Sequence, residues 1–261
     1  MTDVGLGAVR PSLRARALAI APAGSWQRAA LVDIRATMLA GMWLGVLIGG
    51  IGGRLAMLLL RVLSPDHVRG VTSDDGFLIG QVTLAGTYDL LLVGGAFGII
   101  GAVGYRLVDR WLIGPGWFRR LTAALGAGAV VGSMLVHTDG VDFVLLDPLW
   151  LAVALFVLIP ALFGFFIGPL EAALARPDSW VHRGWRAWAL PAATLLAFPF
   201  FILIGGFIAG AMLVARGIRQ VLPVDSISDN AVVGLFVRAA WLGIAILGTV
   251  TLVSDARTIL A

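Results

Sequence analysis

Long apolar runs alternate with short polar segments along most of the chain. A helix needs roughly 20 apolar residues to cross the hydrocarbon core of a bilayer. Six runs come close to this length, and they predict six transmembrane helices. The predicted spans are 36–63, 86–105, 121–137, 148–170, 187–213 and 231–253. As a straight α-helix, 36–63 would reach about 42 Å, so we expect this first span to tilt, bend or project beyond the hydrocarbon.

The composition supports a membrane protein. Hydrophobic residues make up 59% of the chain and charged residues 13%, about half of the roughly 25% typical of soluble domains. The chain lacks cysteine, which excludes disulfides and thiolate metal sites. A formal net charge of +4 comes from arginines dispersed between apolar runs. We interpret them as topology signals, and we predict no nucleic-acid partner.

The charge of the connecting segments predicts an orientation. Arginines concentrate in 1–35, 106–120 and 171–186, whereas 138–147 carries three aspartates and no arginine. Positively charged loops stay in the cytoplasm, so we expect both termini to be cytoplasmic and the protein to lie in the plasma membrane of a bacterium. The prediction is an all-α integral membrane protein with a disordered basic tail (1–25) and one six-span domain (26–261).

Glycine dominates the first two spans and predicts close helix packing. Between lipid-facing helices, small residues allow the backbones to approach and make van der Waals contact. We therefore expect the first three spans to pack tightly, with the glycine face of the first span against the second or third. The candidate packing residues are Gly41, Gly45, Gly49, Gly53, Gly94 and Gly98. Gly50, Gly52 and Gly53 exceed what one seam needs, so we expect a locally distorted backbone just before Arg54.

Arg54 and Arg238 lie inside predicted spans, where arginines are costly and normally face the bundle interior. Arg61 follows Arg54 by seven residues and shares its helix face, and Asp89 is the nearest obvious acid. One interpretation is an outward-facing pocket that binds a small anion, with Arg54 and Arg238 as its charge. The other is a structural network of arginines and aspartates.

His137 is a further candidate ligand, and it lies four residues after Ser133 on one helix face. An intramembrane hydrolase would need an activated serine, a base and an oxyanion hole. The serine context here, GSML at 132–135, departs from the glycine-flanked serine of rhomboid proteases, whose catalytic histidine lies on another helix. No metal-ligand spacing and no phosphate-binding loop occurs, so we predict no cofactor and no metal.

Three classes of function remain compatible with the sequence. The favoured class is a non-catalytic membrane component that packs with another membrane protein or with a second copy. A small transporter or channel with an arginine-lined anion pocket is the second class, and an outer-leaflet intramembrane enzyme is the third. The glycine seams and the lack of catalytic motifs favour the first, because function resides in sites and not in folds.

Overall fold

The computed structural model of the chain describes residues 26–65, 70, 83–138, 140, 142–176, 178–179 and 231–260, with six further residues between 203 and 214. Regular secondary structure in these parts is helical throughout, which confirms the all-helical prediction for them. The elements are α1 (Trp26–Leu44), a π-helical segment (Gly45–Gly52), α2 (Gly53–Leu63), α3 (Leu84–Val108) with a following 3-10 turn (Asp109–Trp111), α4 (Gly116–Leu135), α5 (Asp142–Leu145), α6 (Leu149–Leu174) and α7 (Ala231–Leu260).

Four helices in the described residues are long and apolar enough to cross a membrane. They are Val32–Leu63, Leu84–Trp111, Leu149–Leu174 and Val232–Leu260. These helices match the first, second, fourth and sixth predicted spans. The third predicted span, 121–137, is helical as α4, but α4 is not one of the four. The fifth predicted span, 187–213, lies largely outside the described residues, as does the predicted tail 1–25.

The helices run past the span borders expected from the sequence. The predicted borders lie where charged residues begin. In the structure α3 continues to Val108, α6 to Leu174 and α7 to Leu260. Basic residues occupy the last turns of α3 and α7, as Arg106 and Arg257. A cation there interacts favourably with the negative end of the helix dipole. A charged residue can therefore belong to the last turn of a helix and need not mark the start of a loop.

The first span is one continuous helix with a wider middle section. The residues on either side of the π-helical segment, Leu44 and Gly53, both keep right-handed helical dihedral angles. Four of the eight residues between them are glycine. Glycine has no Cβ to crowd a neighbouring backbone, and π turns recur where a helix carries an additional residue. The distortion expected near Gly50 therefore lies across Gly45–Gly52, and α2 beyond it is regular.

Glycines of the first span and of α3 bring the two backbones into direct contact. A methyl group on Gly98 would lie 2.6 Å from the Cα of Gly45. On Gly94 it would lie 2.6 Å from the amide nitrogen of Gly50, and on Gly41 2.5 Å from the carbonyl oxygen of Gly98. Side-chain carbons cannot approach backbone atoms this closely, so these positions require glycine. We call this contact the glycine seam.

The seam loosens toward α2. A methyl group on Gly49 would lie 3.3 Å from the Cα of Gly94, a distance that a small shift of the backbone would relieve. On Gly53 the nearest atom would be a Leu90 methyl carbon at 3.9 Å, which is an ordinary van der Waals contact. Gly50 belongs to the seam, contrary to the sequence expectation, because a methyl group there would lie 3.0 Å from the Cα of Leu91. Contact with the described residues therefore leaves glycine unexplained at Gly52 and Gly53.

Small residues also join α4 to its neighbours. A methyl group on Gly164 of α6 would lie 2.6 Å from the carbonyl oxygen of Ala123. On Gly248 of α7 it would lie 2.9 Å from the carbonyl oxygen of Ala129. Both contacts are backbone to backbone, the arrangement by which helices associate where water supplies no hydrophobic driving force.

A polar tie and an apolar cluster close the end of the bundle where α2 finishes. The Ser64 hydroxyl accepts a hydrogen bond from the Asp147 amide (2.8 Å) and donates one to the Asp147 carbonyl oxygen (3.1 Å). Buried apolar side chains pack next to it: Leu60, Val136, Phe143, Leu146 and Ala152. This arrangement fixes the end of the first helix against the segment that leads into α6.

Candidate functional site

Three charged side chains from three different helices meet at one end of the bundle. Asp33 lies on α1, Arg106 in the last turn of α3, and Glu171 in the last turn of α6. The Arg106 guanidinium lies between the carboxylates, with Nη1 2.7 Å from Glu171 Oε1 and Nη2 3.4 Å from Asp33 Oδ2. A single cation therefore bonds to residues that lie 65 and 73 positions away from it in the chain, on two other helices.

Thr37 completes this group. It follows Asp33 by four residues, so both side chains lie on the same face of α1. Its hydroxyl is 2.5 Å from Glu171 Oε1 and 2.9 Å from the Asp33 carbonyl oxygen, and it accepts a hydrogen bond from Arg106 at 3.2 Å. A hydroxyl has one proton, so Thr37 can donate to one of its two acceptors at a time. We call Asp33, Thr37, Arg106 and Glu171 the ionic cluster.

The ionic cluster is almost completely shielded from solvent. Thr37 is 0% exposed, Glu171 3% and Asp33 4%, while the Arg106 side chain keeps 17% exposure. Charges in such surroundings interact strongly, and each becomes costly if its partner is removed. Because the members bond to one another, the cluster acts as a tie between α1, α3 and α6.

A second charged group ties the start of α4 to the end of α3. Arg119 lies 2.6 Å from the Asp109 carboxylate and also donates to the Asp109 carbonyl oxygen. The Tyr105 hydroxyl donates to the same carboxylate at 3.2 Å. Gly168 of α6 lies directly against this hydroxyl and has no room for a side chain. Tyr105 precedes Arg106, so the two polar groups are neighbours along α3.

Sequence reasoning missed the ionic cluster because of where it placed the span borders. Asp33, Arg106 and Glu171 fall just outside the predicted spans 36–63, 86–105 and 148–170, which assigns them to the connecting segments. Two signals were present in the sequence. The three borders lie at the same predicted end of the bundle, and Glu171 is the one glutamate in the chain.

Arg54, a predicted site residue, lies in the first turn of α2 and is half-buried. Its Nη2 donates to the Thr87 hydroxyl at 3.2 Å. Its Nε is buried and has no hydrogen-bond partner among the described residues. The side chain is thus directed toward the start of α3, where the Thr87 hydroxyl in turn donates to the Thr83 carbonyl oxygen at 2.8 Å.

The structure does not bring the other candidate ligands to Arg54. Asp89 is exposed on α3 and Arg238 is exposed on α7, while Arg61 is half-buried on α2. Within the described part of the chain, no hydrogen bond or ion pair joins Arg54 to Asp89. Arg238 lies on α7, which packs mainly against α4, and the pocket containing both Arg54 and Arg238 stays a prediction.

His137 and Ser133 bond to carbonyl groups of their own segment. His137 is exposed, and its Nδ1 lies 2.9 Å from the Leu135 carbonyl oxygen. The Ser133 hydroxyl donates to the Val130 carbonyl oxygen at 2.9 Å. The described residues contain no group of three or more histidine, cysteine, aspartate or glutamate side chains that could hold a metal ion.

An apolar groove of about 500 Å³ lies between the first helix and α6. It is lined by Trp43, Leu44, Leu47, Phe166, Pro169 and Leu170. Such a surface suits lipid chains and offers no polar group to orient a charged ligand. Neither Arg54 nor the ionic cluster contributes to it.

The chain was also compared with known proteins. No protein-family model, no curated protein and no solved structure matches it.

Proposed function

We propose that the protein is a non-catalytic component of the plasma membrane that associates with a partner helix. It forms one domain over 26–261 with six spans, and both termini lie in the cytoplasm. Four apolar helices of sufficient length and the arginine-rich segments on one side support this arrangement.

An open pair of glycines is the observation that carries the proposal. Gly206 and Gly210 are helical and exposed, and a methyl group on either would meet nothing within 4 Å. Leu203, Phe207 and Val214 are exposed near them. Glycines spaced by four are the motif through which membrane helices pair closely. The glycine seam of the first span has its partner in α3, whereas this pair has none among the described residues.

The use of the polar groups also supports a non-catalytic role. The ionic cluster binds its own members, and its carboxylates and hydroxyl are buried. Ser133 and His137 bond to backbone carbonyls and not to each other. The transporter alternative has less support, because the described groove is apolar and Arg238 is exposed on α7.

Photo-crosslinking in native membranes tests the partner. A photoreactive phenylalanine analogue at Phe207 should give a discrete protein adduct, and a differently tagged copy of the chain shows whether the partner is a second copy. Gly210→Leu should abolish this adduct, because the added side chain prevents close approach. Gly243→Leu on α7, where nothing lies within 4 Å of the position, should leave the adduct intact. Adducts with lipid alone, or a protein adduct that survives Gly210→Leu, would refute the proposal.

The orientation can be tested because the chain has no cysteine of its own. Arg120 and Thr138 are exposed near opposite ends of α4. A membrane-impermeant maleimide added to intact cells should label Thr138→Cys and should label Arg120→Cys only after permeabilisation. The reverse pattern would place the termini outside.

A further inference from the structure

Among the described residues, Arg54 is a charged side chain with one hydrogen-bond partner and no counter-charge. The guanidinium has five N–H donors and no acceptor, and the described residues give it one acceptor, the Thr87 hydroxyl at 3.2 Å. Its Nε is buried and has no hydrogen-bond partner in the described part of the chain. The Thr87 hydroxyl is neutral and already donates to Thr83. An arginine within a membrane is costly unless a partner offsets its charge, and the Thr87 hydroxyl does not, so this geometry calls for an anion.

The depth of Arg54 identifies where that anion would lie. Arg54 is about seven residues from the middle of Val32–Leu63, about 10 Å along the axis at 1.5 Å per residue. If the span is centred in the bilayer, its Cα lies about 5 Å inside the edge of the hydrocarbon, whose half-thickness is about 15 Å. A long basic side chain reaches the headgroups from this depth. Thr87, its partner, lies in the first turn of α3.

The surroundings favour a lipid over a small ion in water. Ile51 and Leu55, on either side of Arg54 along the chain, are exposed apolar residues, and so is Tyr88 next to Thr87. These side chains can contact acyl chains while the guanidinium contacts the headgroup. Arg61 lies seven residues after Arg54 on α2 and closer to the end of the helix. The two arginines share one helix face. A second cation therefore lies on the headgroup side of the first.

We propose that Arg54, with Thr87, binds the phosphate group of an anionic phospholipid in the leaflet at this end of the bundle. The planar guanidinium can donate two parallel hydrogen bonds to phosphate oxygens through its two Nη groups. The first turn of α3 adds the positive end of the helix dipole. The site is separate from the open glycine pair, so its test does not depend on the partner helix.

Native mass spectrometry of the protein released from nanodiscs tests this site. The nanodiscs contain phosphatidylcholine with phosphatidylglycerol, and the number and affinity of retained lipids are counted. Arg54→Gln should lose one retained phosphatidylglycerol or weaken its binding about tenfold. Arg238→Gln, which alters an exposed arginine of another span, should retain it. Diacylglycerol, which lacks the phosphate, should show no binding that depends on Arg54.

A second comparison distinguishes a lipid headgroup from free phosphate. Millimolar inorganic phosphate should not displace the lipid; if it does, and if it stabilises the wild type in detergent but not Arg54→Gln, the anion is free phosphate. Thr87→Val leaves the charge in place and should weaken lipid binding severalfold, which keeps the test valid if Arg54→Gln does not fold. Wild-type lipid retention in Arg54→Gln overturns the proposal. If Arg54→Gln does not fold, wild-type lipid retention in Thr87→Val overturns it.

Discussion

Adding one methyl group to the glycine seam should destabilise the whole bundle. In Gly98→Ala the new carbon would lie 2.6 Å from the Cα of Gly45 and 2.9 Å from its amide nitrogen, and it would also collide with the carbonyl oxygen of Gly41. All three contacts are backbone atoms, which cannot rotate away as a side chain would. The helices must move apart, and they lose the van der Waals contact that joins them.

The expected loss of unfolding free energy is about 1–3 kcal/mol, the usual range for overpacking a well-packed contact. Gly104→Ala is the matched control, because Gly104 lies on the same helix and a methyl group there would meet nothing within 4 Å. Alanine favours the helix over glycine by up to about 1 kcal/mol, so the control should be neutral or slightly stabilising. The two variants should differ by about 2 kcal/mol, or roughly thirtyfold in the unfolding equilibrium.

The assay is equilibrium unfolding in mixed micelles, in which the mole fraction of a denaturing detergent is raised and helix content is followed by circular dichroism. Gly98→Ala should unfold at a lower fraction than the wild type, and Gly104→Ala should not. Equal midpoints for the two alanine variants would show that the seam does not hold the helices, and the packing argument would fail.

Two further substitutions probe the polar ties with the same unfolding assay. Glu171→Gln removes the shorter of the two ion pairs of Arg106, at 2.7 Å, and leaves the Asp33 carboxylate at 3.4 Å. The variant should cost about 1–3 kcal/mol, the usual loss for a hydrogen bond to a charged group. Glu171→Asp should cost less, and an unaffected Glu171→Gln variant would contradict a structural role of the cluster. Ser64→Ala leaves the Asp147 amide and carbonyl without their shared partner and should cost about 1–3 kcal/mol. Ser254→Ala, at an exposed position, should stay within about 0.5 kcal/mol, and a similar effect at both serines would refute the tie.

The helices could be predicted from the sequence because a backbone in lipid must satisfy its own hydrogen bonds. Any apolar run long enough to span must therefore be helical, as in Leu149–Leu174. The neighbour of each helix was harder to predict. Gly41 and Gly45 indicated that some helix approaches closely, but spacing alone did not distinguish the second span from the third. The structure places Gly94 and Gly98 of α3 there.

The charged groups were the hardest to place, for two physical reasons. Asp33, Arg106 and Glu171 lie at the borders of predicted spans, where a loop residue and a buried helical residue look alike in the sequence. Only the packing of three helices makes them converge. The direction of Arg54 was hidden by the π-helical segment before it, because a residue's face cannot be read from a period of 3.6 when the turns widen.

The π-helical segment sets the rotational phase between the two ends of the first helix. Each residue turns an α-helix by about 100°, and each π turn accommodates one more residue than an α turn. If the residues of Gly45–Gly52 formed regular α turns without any deletion, the additional residue would rotate α2 against α1 by about this angle. Thr37 would still face the ionic cluster, but Arg54 would turn away from Thr87. The additional residue in this segment therefore lets one continuous helix direct Asp33 toward Arg106 near one end and Arg54 toward Thr87 near the other.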